Sequence, residues 1–320
     1  MIGLEEIVNA RKIMEGRIHK TPLISSMNLG KQTNTQLYFK PEVFQKTGSF
    51  KVRGALNKLN SLTPGERKRG VITVSSGNHA QGVAYSASQL GIKAVVVMPD
   101  TTDSAKVNAT KGYGAEVVLT DQDLFQVCAE IQKKRNLTMV HPFDDPYIIA
   151  GQGTIGLEIV EELPDVDVVF VQIGGGGLIA GVATAIKSKK PKVKIIGVEP
   201  TGCPSMYESL KQKKIVRLDK VNTIADGLAS EFTGELNLAL TQKYVDDVVL
   251  VSDDELINGI GLLLEWCKVL TEPSGVASFA ALYFKKAKIP AGAKTVCILS
   301  GGNISRKRLA DLLLKEKPVR

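Results

Sequence analysis

The sequence is poor in aromatic residues, which make up 5% of its 320 residues and include a single tryptophan. Single-stranded nucleic acids are commonly bound by stacking their bases on such side chains, so this scarcity counts against a nucleic-acid partner. The net charge of +8 points the other way, but the basic residues are scattered in short clusters such as Arg67-Lys68-Arg69, which are typical of solvated surfaces. We therefore expect no nucleic-acid partner. A basic protein also attracts small anionic ligands.

Cysteine is scarce as well, and no CxxC pair occurs among Cys128, Cys203, Cys267 and Cys297. This spacing excludes a disulfide framework or a zinc site of the usual type and suits reduced thiols in a cytoplasmic protein. No apolar run approaches the roughly 20 residues of a transmembrane helix. The N-terminus lacks the basic and apolar regions of a signal peptide. We expect a soluble cytoplasmic protein without a membrane partner.

Short strand-like runs alternate with helix-like patterns through most of the chain. Runs rich in β-branched residues lie at 71–74, 94–98, 117–119, 168–172, 194–198, 248–251 and 295–299. Helical patterns cover 80–90, 121–134, 147–162, 178–188, 254–270 and 275–286. This alternation predicts an α/β fold in two lobes, with mostly parallel sheets covered by helices. In such folds ligands bind beyond the carboxyl ends of the strands.

One lysine has an unusual position. Lys51 opens an amphipathic helical pattern over 50–62, for which Ser49 is the expected N-cap. The first turn lies at the positive end of the helix macrodipole, and Lys46 and Arg53 add positive charge nearby, so we expect the pKa of the amine to be lowered. A neutral amine can form a Schiff base with an aldehyde cofactor. The alternative is an ordinary solvated lysine.

Three turns rich in glycine and serine follow predicted strands, and each suits an anion. They are Ser75-Ser76-Gly77-Asn78-His79, Gly174-Gly175-Gly176-Gly177-Leu178 and Ser300-Gly301-Gly302-Asn303. The first two lead into helices, whose free N–H groups bind carboxylates or phosphates, and consecutive glycines let the backbone approach an anion closely. Each turn alone is an ordinary connection. Together with Lys51 they indicate a ligand site.

The glycine turn also fits another class of enzyme. Gly175, Gly177 and Ala180 match the dinucleotide-binding fingerprint, and Glu199 ends the next predicted strand nineteen residues later, as a ribose-binding acid would. An NAD-dependent oxidoreductase is therefore an alternative from spacing alone. It leaves the segment around Lys51 and the turn at 75–79 without a role.

Taken together, these segments resemble the fold-type II pyridoxal-phosphate (PLP) enzymes, specifically the threonine/serine dehydratase and serine racemase family. The matching motifs, in family order, are Lys46-Thr47-Gly48-Ser49-Phe50-Lys51-Val52-Arg53-Gly54-Ala55, Ser75-Ser76-Gly77-Asn78-His79, Gly151-Gln152-Gly153-Thr154, Gly174-Gly175-Gly176-Gly177-Leu178, Ala225-Asp226-Gly227 and Ser300-Gly301-Gly302-Asn303. The resemblance covers nearly the whole chain. It implies a two-lobed, tryptophan synthase β-like fold, with a small domain at 47–146, a large PLP-binding domain made of 1–46 and 147–320, and no C-terminal regulatory domain.

The resemblance also implies a role for each motif. Lys51 holds the aldehyde of pyridoxal 5'-phosphate and is the base for the Cα proton. Phe50 stacks near the cofactor ring, Asn78 hydrogen-bonds the ring hydroxyl, and Ser300 faces the pyridine nitrogen. Backbone amides bind the cofactor phosphate at Gly174, Gly175, Gly176, Gly177 and Leu178. The substrate carboxylate is received by Ser75, Ser76, Gly77 and His79.

The implied reaction is deamination of L-threonine, and more weakly L-serine, to a 2-oxo acid and ammonia by β-elimination of water, without control by isoleucine. The alternative is a serine racemase with side dehydratase activity, because Ser76 occupies the position of the second catalytic base of serine racemases. Phe143 favours the dehydratase, since mammalian-type racemases carry a substrate-positioning asparagine there. Ser205, six positions after Glu199, replaces a carboxylate of the racemase cation site, so we expect no bound metal.

Two smaller questions stay open at this point. Glu272 matches a family carboxylate near the cofactor, but it is equally an acid at the start of a helix. For His79 and His141 a loop-orienting or core role is favoured over a general base. Family members are commonly dimers or tetramers, so the resemblance also implies a homo-oligomer.

Overall fold

Two β-sheets flanked by helices form the computed structural model, which describes residues 2–316. Strands β1 to β10 cover Ile24–Ser25, Gln36–Pro41, Val71–Val74, Ala94–Pro99, Glu116–Thr120, Thr138–Met139, Val168–Gln172, Lys194–Pro200, Asp247–Val251 and Lys294–Leu299. Helices α1 to α14 cover Leu4–Met14, Met27–Thr33, Lys51–Asn60, Pro64–Arg69, Asn78–Gln89, Ser104–Gly112, Leu124–Arg135, Pro146–Glu162, Gly177–Lys189, Ser205–Gln212, Glu235–Tyr244, Asp253–Leu262, Pro273–Tyr283 and Arg306–Leu313. Short 3₁₀ turns lie at Glu42–Phe44 and Asp226–Leu228, and a π-helical turn lies at Leu263–Cys267.

The larger sheet has the strand order β1-β2-β10-β7-β8-β9, and the smaller one has the order β5-β4-β3-β6. All neighbours pair in parallel apart from the antiparallel β1–β2 pair. Every residue of β7 is buried, as expected of a parallel strand covered by helices on both faces. The predicted α/β fold with mostly parallel, helix-covered sheets is confirmed.

The strand pairing connects distant parts of the chain. Strand β2 pairs with β10 in parallel, so a segment from the first 46 residues is built into the larger sheet. The smaller sheet is made entirely from residues between 71 and 139. The exact division into domains at residues 47 and 147 stays a prediction.

The motif Gly151-Gln152-Gly153-Thr154 has a packing explanation. It lies in the buried helix α8, against which α3 and α9 pack closely. A Cβ on Gly151 would lie 2.6 Å from the Cα atom of Gly54 in α3, so a side chain would push the two helices apart. Gln152 accepts a hydrogen bond from the Gly54 N–H at 3.3 Å. These small residues fix the helix that begins at Lys51.

No helix within residues 2–316 is long and apolar enough to cross a membrane.

Candidate active site

A cavity of about 570 Å³ lies beyond the carboxyl ends of strands from both sheets. It is lined by the turns that follow β3, β7 and β10 and by the segment after β6. All residues predicted for the site line this one cavity: Phe50, Lys51, Ser75, Ser76, Gly77, Asn78, His79, Gly174, Gly175, Gly176, Gly177, Leu178 and Ser300. Their convergence follows from the parallel pairing, which brings strand ends to the same edge.

Lys51 is the first residue of α3, at the wall of the cavity. Its Nζ donates a hydrogen bond to the carbonyl of Pro142 at 2.8 Å and lies 5.3 Å from the centre of the Phe50 ring. The predicted N-cap was wrong: the N-cap position is Phe50, and the buried Ser49 hydroxyl has no hydrogen-bond partner in the described part of the chain. Ser49 instead forms a β-bridge with Gly301, which joins the start of α3 to the turn after β10.

Burial lowers the pKa of Lys51 to about 8, because removal from water disfavours the charged amine. At pH 7 about a tenth of the amine is then neutral. The predicted direction was right, but the predicted cause was wrong. The nearby guanidinium of Arg53 faces two carboxylates, Glu42 and Glu158, so its charge is compensated where it lies.

Arg53 belongs to a buried cluster of two cations and two carboxylates beneath the site. Its Nε lies 2.8 Å from Glu42 and its Nη1 lies 2.6 Å from Glu158, whose other oxygen lies 2.7 Å from Nζ of Lys40. Burial alone would raise the pKa of Glu158, but Arg53 and Lys40 bring it below the usual value. The cluster ties α3 to α8 and to β2, so it holds Lys51 in place from below.

The glycine turn after β7 presents free backbone donors to the cavity. Helix α9 begins at Gly177, so its first N–H groups have no intrahelical partner. Within residues 2–316, no hydrogen bond is donated by the N–H groups of Gly174 through Leu178. Five N–H groups are therefore available for an anion, as the sequence predicts.

The glycines of this turn are also required by packing. A Cβ on Gly175 would overlap the ring of Phe143, and one on Gly177 would lie 2.8 Å from the Phe143 carbonyl. Gly176 has a φ of +96°, which favours glycine. Asn237 supports the turn from outside, donating to the Gly175 carbonyl at 2.7 Å.

Asn78, at the start of α5, is held by two side chains. Its Oδ1 accepts from Nδ2 of Asn303 at 2.7 Å, and its Nδ2 donates to Glu272. One N–H of the Asn78 amide is left for a ligand. Glu272 is the N-cap residue of α13, as expected of an acid at the start of a helix, and it also lines the cavity. Its place near a cofactor stays a prediction. Burial raises the pKa of Glu272 to about 7, and the hydrogen bond from Asn78 opposes this shift.

The turn after β3 leaves its polar groups at the cavity edge. Ser75 and Ser76 are partly exposed, and the Gly77 N–H donates to the Ser75 hydroxyl at 3.2 Å. The imidazole of His79 is buried and lies 3.2 Å from the Val140 carbonyl through Nε2. Its backbone N–H, in the first turn of α5, is the part of His79 that can meet a carboxylate.

Other cavity residues were missed by sequence reasoning, among them Lys106, Gln172, Arg217, Glu231 and Phe232. Gln172 had a signal, since it is a polar residue that ends an otherwise apolar strand. Lys106 had none, because its partner is distant in sequence: its Nζ lies 3.4 Å from Asp226, which also pairs with Arg308. This ion pair joins α6 to the turn at Asp226–Leu228, and both of its residues line the cavity.

A family model described as pyridoxal-phosphate dependent enzyme matches residues 14–301. The chain belongs to this family. Similar curated enzymes include an L-threonine ammonia-lyase of Thermotoga maritima, 46% identical over 98% of this chain and 79% of that protein. A catabolic L-threonine dehydratase of Escherichia coli is 43% identical over 97% of this chain and 96% of that protein.

Solved structures place the enzyme in the same group. Maize serine racemase superposes with a TM-score of 0.93 at 36% identity, covering 98% of this chain and 97% of that one. The processed form of threonine deaminase isoform 2 from Solanum lycopersicum superposes with a TM-score of 0.90 at 39% identity, covering 97% and 86% of the two chains. The predicted family and two-lobed fold type are confirmed.

The cavity fits a pyridoxal-phosphate cofactor and not a dinucleotide. A buried amine, five free N–H groups and the fixed amide of Asn78 match an aldehyde, a phosphate and a ring hydroxyl. Glu199, the acid expected to bind ribose, is buried away from the cavity and accepts from the N–H groups of Met206 and Tyr207 at 2.8 and 2.7 Å. The NAD-dependent alternative is wrong.

The surroundings of Glu199 bear on the question of a metal. Burial raises the pKa of Glu199 to about 8, against the opposing hydrogen bonds of the two backbone N–H groups. Ser205 Oγ is 3.5 Å away and contributes no second charge. Within residues 2–316, no group of three or more His, Cys, Asp or Glu side chains is arranged to hold a metal ion. That no metal binds stays a prediction.

Proposed function

We propose that this enzyme deaminates L-threonine, and more weakly L-serine, to the corresponding 2-oxo acid and ammonia. The observation that carries the proposal is the position of the Lys51 amine, buried in the same cavity as two sets of helix N-terminal N–H groups. The similarity to enzymes named threonine ammonia-lyase and threonine dehydratase, at 46% and 43% identity, supports this choice of substrate.

Each part of the cavity has a task in this reaction. When bound, pyridoxal phosphate supplies an aldehyde that condenses with amines and a conjugated ring that withdraws electrons from the substrate Cα. The N–H groups of Gly174 to Leu178 would hold its phosphate, Asn78 would donate to its ring hydroxyl, and Ser300 would face its ring nitrogen. Phe50 would pack beside the ring. The turn from Ser75 to His79 binds the substrate carboxylate through its hydroxyl and N–H groups.

Lys51 has two tasks, because its amine changes partners during turnover. Its Nζ holds the cofactor in the resting enzyme and then takes the proton from the substrate Cα. A pKa near 8 suits a group that must lose and regain a proton near neutral pH. Elimination breaks the Cα–H bond, whose proton goes to Lys51, and the Cβ–O bond, whose hydroxyl takes up one proton and leaves as water. The released enamine then takes up one water and gives the 2-oxo acid and ammonia.

Serine racemisation is the second candidate. It is supported by Ser76, a hydroxyl on the cavity wall, and by the similarity to maize serine racemase. Phe143 supports the dehydratase, since its apolar ring lies in the cavity between His141 and Phe232, with ring centres 4.7 and 6.0 Å away. The Phe143 ring itself offers no hydrogen bond to a substrate and suits the methyl group of threonine.

One assay separates these candidates. The purified protein is incubated with L-threonine or L-serine, and 2-oxo acid and D-serine are measured together. We expect 2-oxobutyrate to be the main product, and Ser76→Ala to weaken its formation only modestly. If Ser76 is a second acid/base, the same change abolishes D-serine and spares elimination. Abundant D-serine with little 2-oxo acid from the parent enzyme contradicts the proposed function.

We also propose that the enzyme acts as a homo-oligomer in the cytoplasm. Met27 and Trp266 are large apolar side chains that are 75% and 45% exposed, and their chain neighbours Ser26 and Cys267 interact with each other. A second copy of the chain would cover such exposed apolar side chains. The four thiols form no disulfide, in keeping with a reducing compartment. Light scattering should give a dimer or tetramer, and Trp266→Glu should reduce its mass.

A further inference from the structure

The segment 140–143 connects two side chains of the site through its backbone. The carbonyl of Val140 accepts hydrogen bonds from Nε2 of His79 at 3.2 Å and from the hydroxyl of Thr73 at 2.8 Å. Two residues further on, the carbonyl of Pro142 accepts from Nζ of Lys51 at 2.8 Å. The Val140 N–H in turn donates to the Ile72 carbonyl at 2.9 Å. Val140 and the partner of the Lys51 amine thus lie two residues apart on one backbone segment.

His79 is neutral in this environment, and its tautomer is fixed. A carbonyl oxygen can only accept, so the hydrogen lies on Nε2 and the lone pair on Nδ1. That Nδ1 is buried and has no hydrogen-bond partner within residues 2–316. Burial lowers the pKa of His79 to about 3, and the charge of Lys51 adds to this shift. The ring is thus a permanent donor to Val140 near neutral pH.

His141, the other histidine near Lys51, does not replace His79 in this arrangement. His141 lies within the segment, and its Nδ1 accepts from the N–H groups of Asp144 and Phe143 at 2.8 and 3.3 Å. Burial lowers the pKa of His141 and the charge of Lys51 adds to this shift, although Asp144 and Asp145 oppose it. Both imidazoles are therefore neutral near neutral pH, and the Pro142 carbonyl is the hydrogen-bond partner of the amine.

We propose that His79 is a positioning residue for Lys51, which acts by fixing segment 140–143 so that the Pro142 carbonyl holds the Lys51 amine. The inference rests on the proposed role of Lys51 and is independent of the substrate. A hydrogen bond to an ammonium group favours its charged form. Losing the anchor at Val140 displaces the Pro142 carbonyl, and burial then lowers the pKa of Lys51 further.

The test measures the protonation of Lys51 directly. The full chain, freed of cofactor, is methylated with formaldehyde and cyanoborohydride between pH 6 and 10 (roughly the range around an amine pKa of 8), and Lys51 modification is followed by peptide mapping. We expect a midpoint of about 8 in the parent protein. In His79→Asn the amide nitrogen can reach only the position of the imidazole Nδ1, so the hydrogen bond to Val140 is lost. The midpoint should then fall by about one pH unit, a free energy close to that of a weak hydrogen bond to a charged group.

Matched variants separate positioning from loss of stability. His79→Gln, whose amide nitrogen reaches the Nε2 position, should restore the parent midpoint. Thr73→Val removes the other donor to the same carbonyl and should lower the midpoint by less. Val95→Ala, in the core cluster of Ile72, Cys128 and Leu137, removes neither side-chain donor to the Val140 carbonyl and should leave the midpoint unchanged.

Two results would overturn the inference. One is a parent-like midpoint in His79→Asn, and the other is an equal shift in Val95→Ala, which would indicate general loosening of the lobe. If circular dichroism shows His79→Asn to be unfolded, an unchanged midpoint in Thr73→Val decides against the proposal. The assay does not use threonine, so failure of the proposed substrate leaves its outcome intact.

Discussion

Gly175→Ala should weaken the binding of pyridoxal phosphate, because the glycine turn packs directly against Phe143 in the segment after β6. A Cβ at this position would overlap three carbons of the Phe143 ring, at distances below the 3.0 Å that real Cβ atoms respect, whereas ordinary contacts lie at 3.4–4 Å. The ring cannot move freely, since His141 and Phe232 pack against it on two sides. The turn must therefore shift by about an ångström, enough to break a hydrogen bond to the charged phosphate, and such a bond contributes about 1.5–3 kcal/mol.

The measurement is a titration of the cofactor-free full chain with pyridoxal phosphate, followed by visible absorbance. We expect the dissociation constant to rise about 100-fold, or about 2.8 kcal/mol at 1.4 kcal/mol per tenfold change. Overpacking should also lower the free energy of unfolding by about 1–3 kcal/mol. Gly112→Ala is the control, because a Cβ there meets nothing within 4 Å.

A second substitution tests the stated cause. Phe143→Ala in the Gly175→Ala background removes the overlapping ring and should recover a large part of the lost affinity. Parent-like cofactor affinity in Gly175→Ala would refute the reasoning. So would a double variant that binds no better than the single one.

Three further predictions concern stability. Glu158→Ala leaves Arg53 and Lys40 short of a buried counter-charge and should lower the free energy of unfolding in urea by about 3–5 kcal/mol; a change below about 1 kcal/mol would contradict this role. The folded-state pKa of Glu199 is raised to about 8 from 4.5, so between these values the folded state binds more protons than the unfolded one, and stability falls as pH rises. Glu199→Gln should flatten that slope in urea titrations from pH 5 to 8 (the interval between the two pKa values), and an unchanged slope would show that Glu199 does not cause it. A fragment of residues 147–320 lacks β2, the neighbour of β10, and should show no cooperative melting by circular dichroism; a sharp transition would count against the discontinuous large domain.

The central strands could be predicted from sequence because burial on both faces leaves a continuous apolar run. Strands β3 and β7 begin and end at the predicted residues. Strand β2 was missed because its run contains Lys40, a charge that is tolerated inside through Glu158 and Glu162, far along the chain. The predicted helix over 254–270 instead ends at Leu262 and continues as a π-helical turn, and Lys268 then takes a positive φ of 59° that closes it.

The members of the site could be predicted, but their electrostatics could not. Parallel strands bring their carboxyl ends together whatever the loops contain, so strand-terminal turns were a sufficient guide. The pKa of Lys51 depends instead on enclosure by residues such as Pro142, which is 91 positions away. The charges near Lys51 in the sequence were therefore the wrong explanation for its lowered pKa. The pairing of Lys106 with Asp226 could not be predicted either, because the two residues are 120 positions apart.

The most direct test of the account is borohydride reduction of the protein as purified, followed by peptide mapping. We expect a pyridoxyl label on Lys51, the same label in Lys46→Ala, and none in a folded Lys51→Ala protein. A label on a different lysine, or a protein that takes up no pyridoxal phosphate, would contradict it.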